Sequence, residues 1–252
     1  FRSYKVTGSD DEIFDPARTR LESYGLLPVE YGWFPEKIDS TIDAIILGMH
    51  ARGDNPELAK AKQLGLKIYS YPEFLYEQSK DKLRVVIGGS HGKTTITAMI
   101  LHVLHFCNVD TDYMVGAKLD GFDVMVRLTG KAKVMVFEGD EYLTSALDPR
   151  PKFHLYKPDI ALVSGIAWDH MNVFPTFKNY VEQFRIFMEM VPEKGTLIYC
   201  NEDKEVKKAV KSIGGTMEKL PYGVPQHHVV KGQTVLSTVE GNFKLRIFGS
   251  TT

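Results

Sequence analysis

The first 80 residues alternate short apolar runs with helix start and stop signals. Three runs, at 4–8, 42–48 and 67–69, have the length and β-branched or aromatic content of strands. Asp-Pro at 15–16 and Asn-Pro at 55–56 predict helix starts, since a side-chain oxygen caps the first turn and proline fits its first position. Glycines at 25 and 65 predict the helix ends, and a third helix is predicted at 72–79. This strand–helix alternation predicts a Rossmann-like parallel sheet.

The pattern starts again after residue 82. An apolar strand at 84–88 is followed by a glycine-rich turn and a helix from about 93 to 106. The apolar positions of this helix repeat at i, i+3, i+4, i+7 and i+8: Ile96, Met99, Ile100, Val103 and Leu104. Further strands are predicted at 133–137, 160–164 and 196–200, with a helix at 177–190. After 214–215, short alternating runs at 229–230, 234–239 and 243–248 predict small antiparallel strands.

The predicted fold class is therefore α/β, in two parts. Lys-Asp-Lys at 80–82 is charged and free of apolar residues, so we place a domain boundary there. Residues 1–82 form the predicted Rossmann-like domain. Residues 83–252 form a second parallel-sheet domain that carries the phosphate-binding loop and a small antiparallel tail.

Composition narrows the function only by exclusion. The 252 residues are 43% apolar and carry a formal net charge of −1, so no global charge attracts the chain to nucleic acid or to a lipid surface. The longer apolar runs are too short to span a bilayer. No export signal is visible at the start, and two cysteines without CxxC spacing do not suggest a disulfide framework. We expect a cytoplasmic protein.

The strongest chemical signal lies at 88–95, which reads Gly-Gly-Ser-His-Gly-Lys-Thr-Thr between the apolar strand and the amphipathic helix. Glycines let backbone N–H groups face a polyphosphate, and the helix N-terminus adds partial positive charge. Lys93 can neutralise β- and γ-phosphate oxygens, and the Thr94 hydroxyl can bind Mg²⁺. The general P-loop pattern has a glycine where Ile87 stands. The predicted ATP-phosphate contacts are Gly89, Ser90, His91, Gly92, Lys93, Thr94 and Thr95.

Acidic and imidazole side chains follow two of the predicted strands. Glu138 follows the strand at 133–137, and such folds hold a metal-binding acid at the end of the strand beside the P-loop strand. His170 follows the strand at 160–164 and can add an imidazole ligand, although taken alone it is better explained as a structural histidine. Asp140 and Glu141 stay open between a role in the site and a helix cap.

Three segments together resemble the Mur ligases, which use ATP to add amino acids or peptides to UDP-N-acetylmuramate. Residues 89–95 resemble the family loop G-T-x-G-K-T, residues 138–141 its E-x-D-E, and residues 169–172 its D-H-M-D; the resemblance covers about 84–192. It implies that the substrate carboxylate attacks ATP and that an amine then attacks the resulting acyl phosphate. It also implies that Lys93, Glu138 and His170 are catalytic, with Thr94 holding one Mg²⁺ and Glu138 and His170 a second.

The stretch at 145–158 indicates a branch of this family. It resembles the D-x-R-x-K-F-x-H-Y-x-P stretch of the recycling branch, which joins L-Ala-γ-D-Glu-meso-diaminopimelate to UDP-N-acetylmuramate. Asp148-Pro149-Arg150 could also be a turn with solvated charges. Several Mur ligases carry a carbamylated lysine about fifteen residues after the motif histidine, where Arg185 stands here. The L-alanine-adding and tripeptide branches both lack that lysine, so free L-alanine is the alternative acceptor.

The first domain resembles the UDP-binding domain of the same family. Ser9 and Asp10, in a G-S-D segment, are the candidate UDP contacts, and an ordinary strand-end cap explains them equally well. The family's first strand and glycine-rich loop would precede Phe1, and its third domain would follow Thr252, so we expect the fragment alone to be nearly inactive. A non-catalytic nucleotide-binding module is the alternative from another functional class.

Overall fold

The computed structural model describes residues 4–223 and the backbone of three later strands, at 226–230, 233–238 and 241–245. Its first part contains two parallel strands, three α-helices and a short 3-10 helix (Pro35–Lys37): α1 (Ala17–Ser23), β1 (Ala44–Leu47), α2 (Pro56–Gln63), β2 (Lys67–Ser70) and α3 (Tyr71–Glu77). Asn55 caps α2, and Ser70 and Glu73 form a reciprocal capping box on α3. The start of α2 is the one that the Asn-Pro signal predicts.

The predicted strand at 4–8 is wrong, because these residues form no strand in the structure. Tyr4 and Val6 are 61% and 56% exposed, and no neighbouring strand pairs with this segment in the described part of the chain. A short alternating run forms a strand only where a sheet edge is available to pair with it.

The second part is built on a seven-stranded sheet. Its elements are, in chain order, β3 (Leu83–Gly88), α4 (Lys93–Phe106), β4 (Thr111–Met114), β5 (Val126–Arg127), β6 (Val134–Glu138), β7 (Leu143–Ser145), β8 (Asp148–Pro151), α5 (Lys152–Leu155), β9 (Ile160–Val163), α6 (Phe177–Glu189), β10 (Thr196–Cys200), α7 (Lys204–Ser212) and β11 (Glu218–Tyr222). The spatial order is β11-β10-β9-β3-β6-β4-β5, and only β5 runs antiparallel to its neighbour. Strands β7 and β8 form a separate hairpin.

Alternate residues of the central strands enter two cores, one on each face of the sheet. Val86, Phe137 and Val163 pack in the larger core, together with residues of α6 and α7. Their chain neighbours Ile87 and Val136 pack in the smaller core, against α4. This period of two, with helices on both faces, confirms the α/β prediction and places β3 between β6 and β9.

Helix α4 is rotated relative to its predicted apolar face. Ile96, Ile100 and Leu104 pack against the smaller core as expected, whereas Met99 and Val103 are 63% and 57% exposed. The buried line of the helix runs instead through Thr97 and Leu101. The predicted face was therefore wrong at two of its five positions.

The charged segment at 80–82 is also less solvated than its composition suggests. The Lys82 side chain is 1% exposed and lies 3.1 Å from the buried Asp112 carboxylate. Its ammonium donates hydrogen bonds to the carbonyls of Thr129 and Ala132, at 3.0 and 2.7 Å. In addition, Leu75 of α3 packs in the larger core. The domain boundary near residue 82 stays a prediction. The segment around it packs against the second part of the chain through Lys82 and Leu75.

The tail forms the predicted antiparallel strands: β12 (Gln226–Val230), β13 (Gln233–Thr238) and β14 (Gly241–Leu245), in the order β12-β13-β14. Position 239 of one predicted strand and positions 246–248 of another lie outside the described residues. In the part of the chain that the structure describes, no helix is both long and apolar enough to cross a membrane.

Candidate active site at the carboxyl edge of the sheet

Two glycines shape the segment that joins β3 to the first turn of α4. We call this segment, residues 89–95, the phosphate loop. Gly89 has a φ of +139° and Gly92 a φ of +78°, both in the left-handed half of backbone space. A Cβ at Gly89 would overlap the Ser164 hydroxyl and lie 3.1 Å from the Ser164 backbone nitrogen. Ser164 in turn donates a 2.7 Å hydrogen bond to the His91 carbonyl. The glycines therefore allow the loop to pass close to the end of β9.

The phosphate loop ends at an N-terminus suited to an anion. Gly92 is the N-cap of the 14-residue helix α4, and no side chain caps the helix. The first-turn N–H groups and the helix dipole both favour a negatively charged ligand at such an end. Lys93 and Thr94 are the first two helical residues, and the His91 and Thr95 side chains are exposed. This geometry fits the polyphosphate of ATP.

Glu138 lies beside Thr94, at the end of the neighbouring strand β6. The Thr94 hydroxyl donates to Glu138 Oε1 at 2.6 Å, and the Gly116 N–H donates to Oε2 at 2.9 Å. A hydroxyl and a carboxylate at one spot are the oxygen ligands that Mg²⁺ prefers. Thr94 and Glu138 therefore fit a Mg²⁺ at the mouth of the phosphate loop, and their roles as ligands stay a prediction.

Glu141 is the most enclosed carboxylate of the site, with no exposed side-chain surface. Its Oε2 accepts a 2.7 Å hydrogen bond from Lys93 Nζ, which also donates to the Gly89 carbonyl at 2.7 Å. On its other side, Glu141 Oε1 accepts from the Tyr180 hydroxyl at 3.3 Å and lies 3.6 Å from His170 Nε2. Of the two acids left open by the sequence, Glu141 is therefore the one in contact with the phosphate-loop lysine.

Asp140, the other open acid, lies in a separate ion pair. Its Oδ2 accepts a 2.6 Å hydrogen bond from Lys152 Nζ, and Oδ1 accepts from the Tyr142 N–H at 2.9 Å. Burial alone would raise the pKa of Asp140, but the hydrogen bond and charge of Lys152 outweigh it and lower the pKa. Asp140 caps no helix and instead fixes the start of the hairpin β7–β8.

His170 is held in an unusual backbone conformation. Its φ is +53°, and its carbonyl accepts hydrogen bonds from the N–H groups of Val173 and Phe174. Such a conformation is uncommon outside glycine and is frequent at functional sites. The ring lies edge-on to Tyr142, with centroids 5.0 Å apart. The turn thus fixes the direction in which the imidazole points.

The structure groups these side chains differently from the sequence-based expectation. Ligand atoms of Glu141, Asp169 and His170 lie within 4.8 Å of one another, the only such group among the described residues. Glu138 contacts Thr94 instead of this group. The assignment of Glu138 and His170 to one shared Mg²⁺ stays a prediction. Nothing in the sequence singled out Glu141 over Asp140, because its role depends on Lys93, 48 positions away.

A chain of buried hydrogen bonds connects the phosphate loop to α6 and to Glu141. The Ala167 N–H donates to Ser90 Oγ at 2.8 Å, Ser90 Oγ lies 2.8 Å from the Tyr180 hydroxyl, and that hydroxyl donates to Glu141. Tyr180 is fully buried, and burial raises the pKa of its hydroxyl, which therefore keeps its proton. Sequence reasoning missed Tyr180, since a tyrosine on an apolar helix face is normally a core residue.

Tyr180→Phe is expected to lower the free energy of unfolding by about 1–2 kcal/mol, because Ser90 and Glu141 each lose a buried partner. ATP affinity should fall severalfold as the loop loosens. Chemical denaturation and nucleotide titration measure the two effects. The matched control is Tyr142→Phe, which removes only the exposed hydrogen bond from Asn172. An equal loss of stability in both variants would contradict the buried chain.

The branch-indicating stretch is ordered and only partly solvated. Arg150 donates to both Asp148 oxygens and to Glu73 of α3, at 3.3 Å, so the hairpin bridges to the first part of the chain. Phe153 is fully buried. His154 is bonded to the Gln183 carbonyl at 2.8 Å, and burial lowers its pKa. Asp148, Pro149 and Arg150 themselves form strand β8 and not a turn, and Pro149 and Arg150 are exposed.

The remaining candidate residues lie apart from this constellation. Asp10 accepts locally, from the N–H of Asp11 at 3.0 Å, and neither it nor Ser9 belongs to a strand. Their UDP role stays a prediction. Arg185 on α6 forms ion pairs with Glu182 and Glu189, which raise its pKa. It is thus engaged on its own helix.

Comparison with known proteins identifies the family. The family model described as the Mur ligase middle domain matches residues 87–250. This chain belongs to the Mur ligase family. The match begins in β3 and includes the phosphate loop, Glu138, Glu141 and His170. The family expectation from the three sequence motifs is confirmed.

Curated relatives point to two branches of the Mur ligases. The chain is 28% identical over 208 residues to the UDP-N-acetylmuramate–L-alanyl-gamma-D-glutamyl-meso-2,6-diaminoheptandioate ligase of Haemophilus influenzae, covering 82% of this chain and 46% of that protein. It is 31% identical over 224 residues to the UDP-N-acetylmuramate–L-alanine ligase of Clostridium tetani, covering 88% and 46%. The chain spans about half the length of the curated relatives it matches.

Solved structures of Mur ligases share the fold. The UDP-N-acetylmuramate:L-alanyl-gamma-D-glutamyl-meso-diaminopimelate ligase of Neisseria meningitides superposes with a TM-score of 0.81 at 23% identity, covering 95% of this chain and 78% of that one. The murein peptide ligase of Psychrobacter arcticus 273-4 gives 0.77 at 22% identity, covering 98% and 56%. At these sequence identities, the structural similarity is evidence for a shared fold only.

Proposed function

We propose that the protein is an ATP-dependent amide ligase that joins the peptide L-Ala-γ-D-Glu-meso-diaminopimelate to UDP-N-acetylmuramate. The observation that carries this proposal is the convergence of Lys93, Thr94 and Glu138 at the mouth of the phosphate loop, with Glu141 and His170 beside them. The name of the Haemophilus influenzae relative supports the choice of substrates. The proposal concerns the whole protein, of which ATP, UDP-N-acetylmuramate and the peptide are the ligands.

The reaction would proceed in two steps. The carboxylate of UDP-N-acetylmuramate attacks the γ-phosphorus of ATP, and ADP leaves, which gives an acyl phosphate. The peptide amine then attacks the acyl carbon, loses a proton and expels inorganic phosphate. Both steps need charge neutralisation and alignment more than covalent help from the protein.

Named residues supply that neutralisation. The phosphate-loop N–H groups and Lys93 would bind the β- and γ-phosphates, and Thr94 and Glu138 would hold one Mg²⁺. Glu138 and His170 would hold the second, with Glu141 and Asp169 within reach of the same imidazole. When bound, Mg²⁺ neutralises phosphate and carboxylate oxygens that would otherwise repel each other. Ser9 and Asp10 are the proposed UDP contacts, and the cytoplasm, which holds ATP, is the proposed location.

An assay of the intact protein tests the proposal and its nearest alternative. Phosphate release is expected only when ATP, Mg²⁺, UDP-N-acetylmuramate and the tripeptide are all present. The Clostridium tetani relative, at 31% identity, favours free L-alanine as the second candidate acceptor. Turnover with L-alanine and none with the tripeptide would replace the first proposal by the second.

The same assay addresses the non-catalytic alternative. A nucleotide-binding module would bind ATP and release no phosphate with either amine. Hydrolysis that is independent of UDP-N-acetylmuramate would contradict both ligase proposals. Mass spectrometry of the product identifies which amine has been joined.

A further inference from the structure

Glu141 has a position that the proposed chemistry does not explain. It is completely buried, yet it carries a carboxylate whose closest positive partner is Lys93, at 2.7 Å. A buried charge that loses its partner costs several kcal/mol, so a cation beside this carboxylate stabilises it. Lys93 is also the side chain that the triphosphate needs. One ammonium therefore has two competing acceptors.

The Lys93 side chain already has partners within the protein. Its ammonium bonds to Glu141 and to the carbonyl of Gly89, so it lies across the base of the phosphate loop. To neutralise β- and γ-oxygens it must give up at least part of the contact with Glu141. The Tyr180 hydroxyl, held by Ser90, keeps Glu141 in place on its far side. The carboxylate is thus fixed, and Lys93 is the partner able to move.

The second Mg²⁺ proposed at His170 would lie beside the same carboxylate. Glu141 Oε1 lies 3.6 Å from His170 Nε2, and Asp169 Oδ2 lies 3.9 Å from that nitrogen. Two carboxylates and one imidazole can hold a divalent ion. An ion at this place would compensate Glu141 at the moment when Lys93 turns to the phosphate.

From these contacts we infer that Glu141 is a positioning residue that holds Lys93 until nucleotide and divalent cation bind together. Glu141 exchanges one positive partner for another, and this exchange couples ATP affinity to the cation beside His170. The inference rests on the proposed function, because it assumes that the phosphate loop binds ATP. It deepens that function by linking its two ligands through one buried side chain.

Glu141→Gln tests the exchange, since glutamine keeps the shape and removes the charge. The intact protein is titrated with a non-hydrolysable ATP analogue, once in EDTA and once in excess Mg²⁺. In EDTA the variant is expected to bind about tenfold more tightly than the wild type, because Lys93 no longer has to leave a charged partner. The gain in affinity on adding Mg²⁺ is expected to shrink by a similar factor.

Asp140→Asn is the matched control. It neutralises the adjacent carboxylate, which pairs with Lys152 rather than Lys93, and should leave the Mg²⁺-dependent gain as in the wild type. The inference would be overturned if Glu141→Gln kept the wild-type gain in nucleotide affinity on adding Mg²⁺. It would also be overturned if both variants changed that gain equally. Wild-type protein that binds no nucleotide in either condition would overturn the proposed function as well, so the two failures are distinguishable.

A second measurement does not depend on a variant that folds. Electron paramagnetic resonance counts the Mn²⁺ ions bound to the wild-type protein with and without the ATP analogue. Partner exchange predicts an additional protein-bound Mn²⁺ in the nucleotide complex beyond the one that accompanies the phosphates at Thr94 and Glu138. The same Mn²⁺ occupancy of the His170 site with and without nucleotide would overturn it.

Discussion

Lys93→Met is expected to lower the rate of ATP-dependent amide formation at least about 10²–10³-fold. Lys93 is the cation at the base of the phosphate loop, and preorganised charge that stabilises a phosphoryl-transfer transition state is worth this much. Methionine keeps most of the side-chain length and loses the charge. Single-turnover phosphate release with saturating substrates measures the effect. A wild-type rate of phosphate release in Lys93→Met would contradict the assignment of residues 89–95 as the phosphate-binding loop.

Loss of Lys93 also affects stability, because Glu141 is then buried without its partner. The free energy of unfolding of Lys93→Met should fall by about 3 kcal/mol. The double variant Lys93→Met with Glu141→Gln separates the two effects. It is expected to regain most of the stability and none of the activity, and denaturation curves beside the activity assay show this. A double variant as unstable as the single one would mean that the ion pair at 2.7 Å does not matter for folding.

Gly89→Ala is expected to destabilise the protein by about 3 kcal/mol and to abolish nucleotide binding. A φ of +139° costs about 1–3 kcal/mol for a residue with a Cβ. The new Cβ would also overlap the Ser164 hydroxyl, which adds the cost of overpacking. Thermal denaturation and ATP titration measure the two consequences.

Two variants check the cause of that loss. Gly130→Ala is the matched control, since its Cβ meets nothing within 4 Å and its φ is not positive, and it should change the free energy of unfolding by less than about 1 kcal/mol. Adding Ser164→Gly to Gly89→Ala removes the overlap with the hydroxyl, together with its hydrogen bond to the His91 carbonyl, and leaves the backbone strain. Partial recovery is expected. Recovery to wild-type stability, or none at all, would show that one of the two causes was misjudged.

The sequence predicts those parts of the fold in which local pattern and burial agree. Strand β6 follows from a continuous apolar run, and Ile87 and Val136 show why such strands are apolar on both faces. Strand β4 was missed because it reads Thr-Asp-Tyr-Met and is nevertheless buried. Its buried Asp112 is compensated by Lys82, Arg127 and the Thr129 N–H, and partners that distant in sequence leave no local signal.

In the candidate site, too, local sequence pattern predicts some residues, whereas contacts between distant parts of the chain determine others. Residues adjacent in the chain, such as Lys93 and Thr94, could be predicted from spacing and their place before a helix. Glu138 could be predicted because it ends a recognisable strand. Glu141 and Tyr180 could not, because their contact joins β6's following loop to α6 across 39 positions. Side-chain direction at that distance is fixed only by the packed fold.

The strand order separates what the Mur ligase chemistry requires from what can vary. Strands β6, β3 and β9 lie side by side, so the segments that follow them meet at one edge although they are distant in the chain. The connection between β6 and β9, which includes the hairpin β7–β8, lies outside the sheet. A lineage can therefore lengthen such a connection to select a different acceptor without disturbing phosphate binding. In the proposed ligase, acceptor choice and phosphate binding would then depend on different parts of the chain.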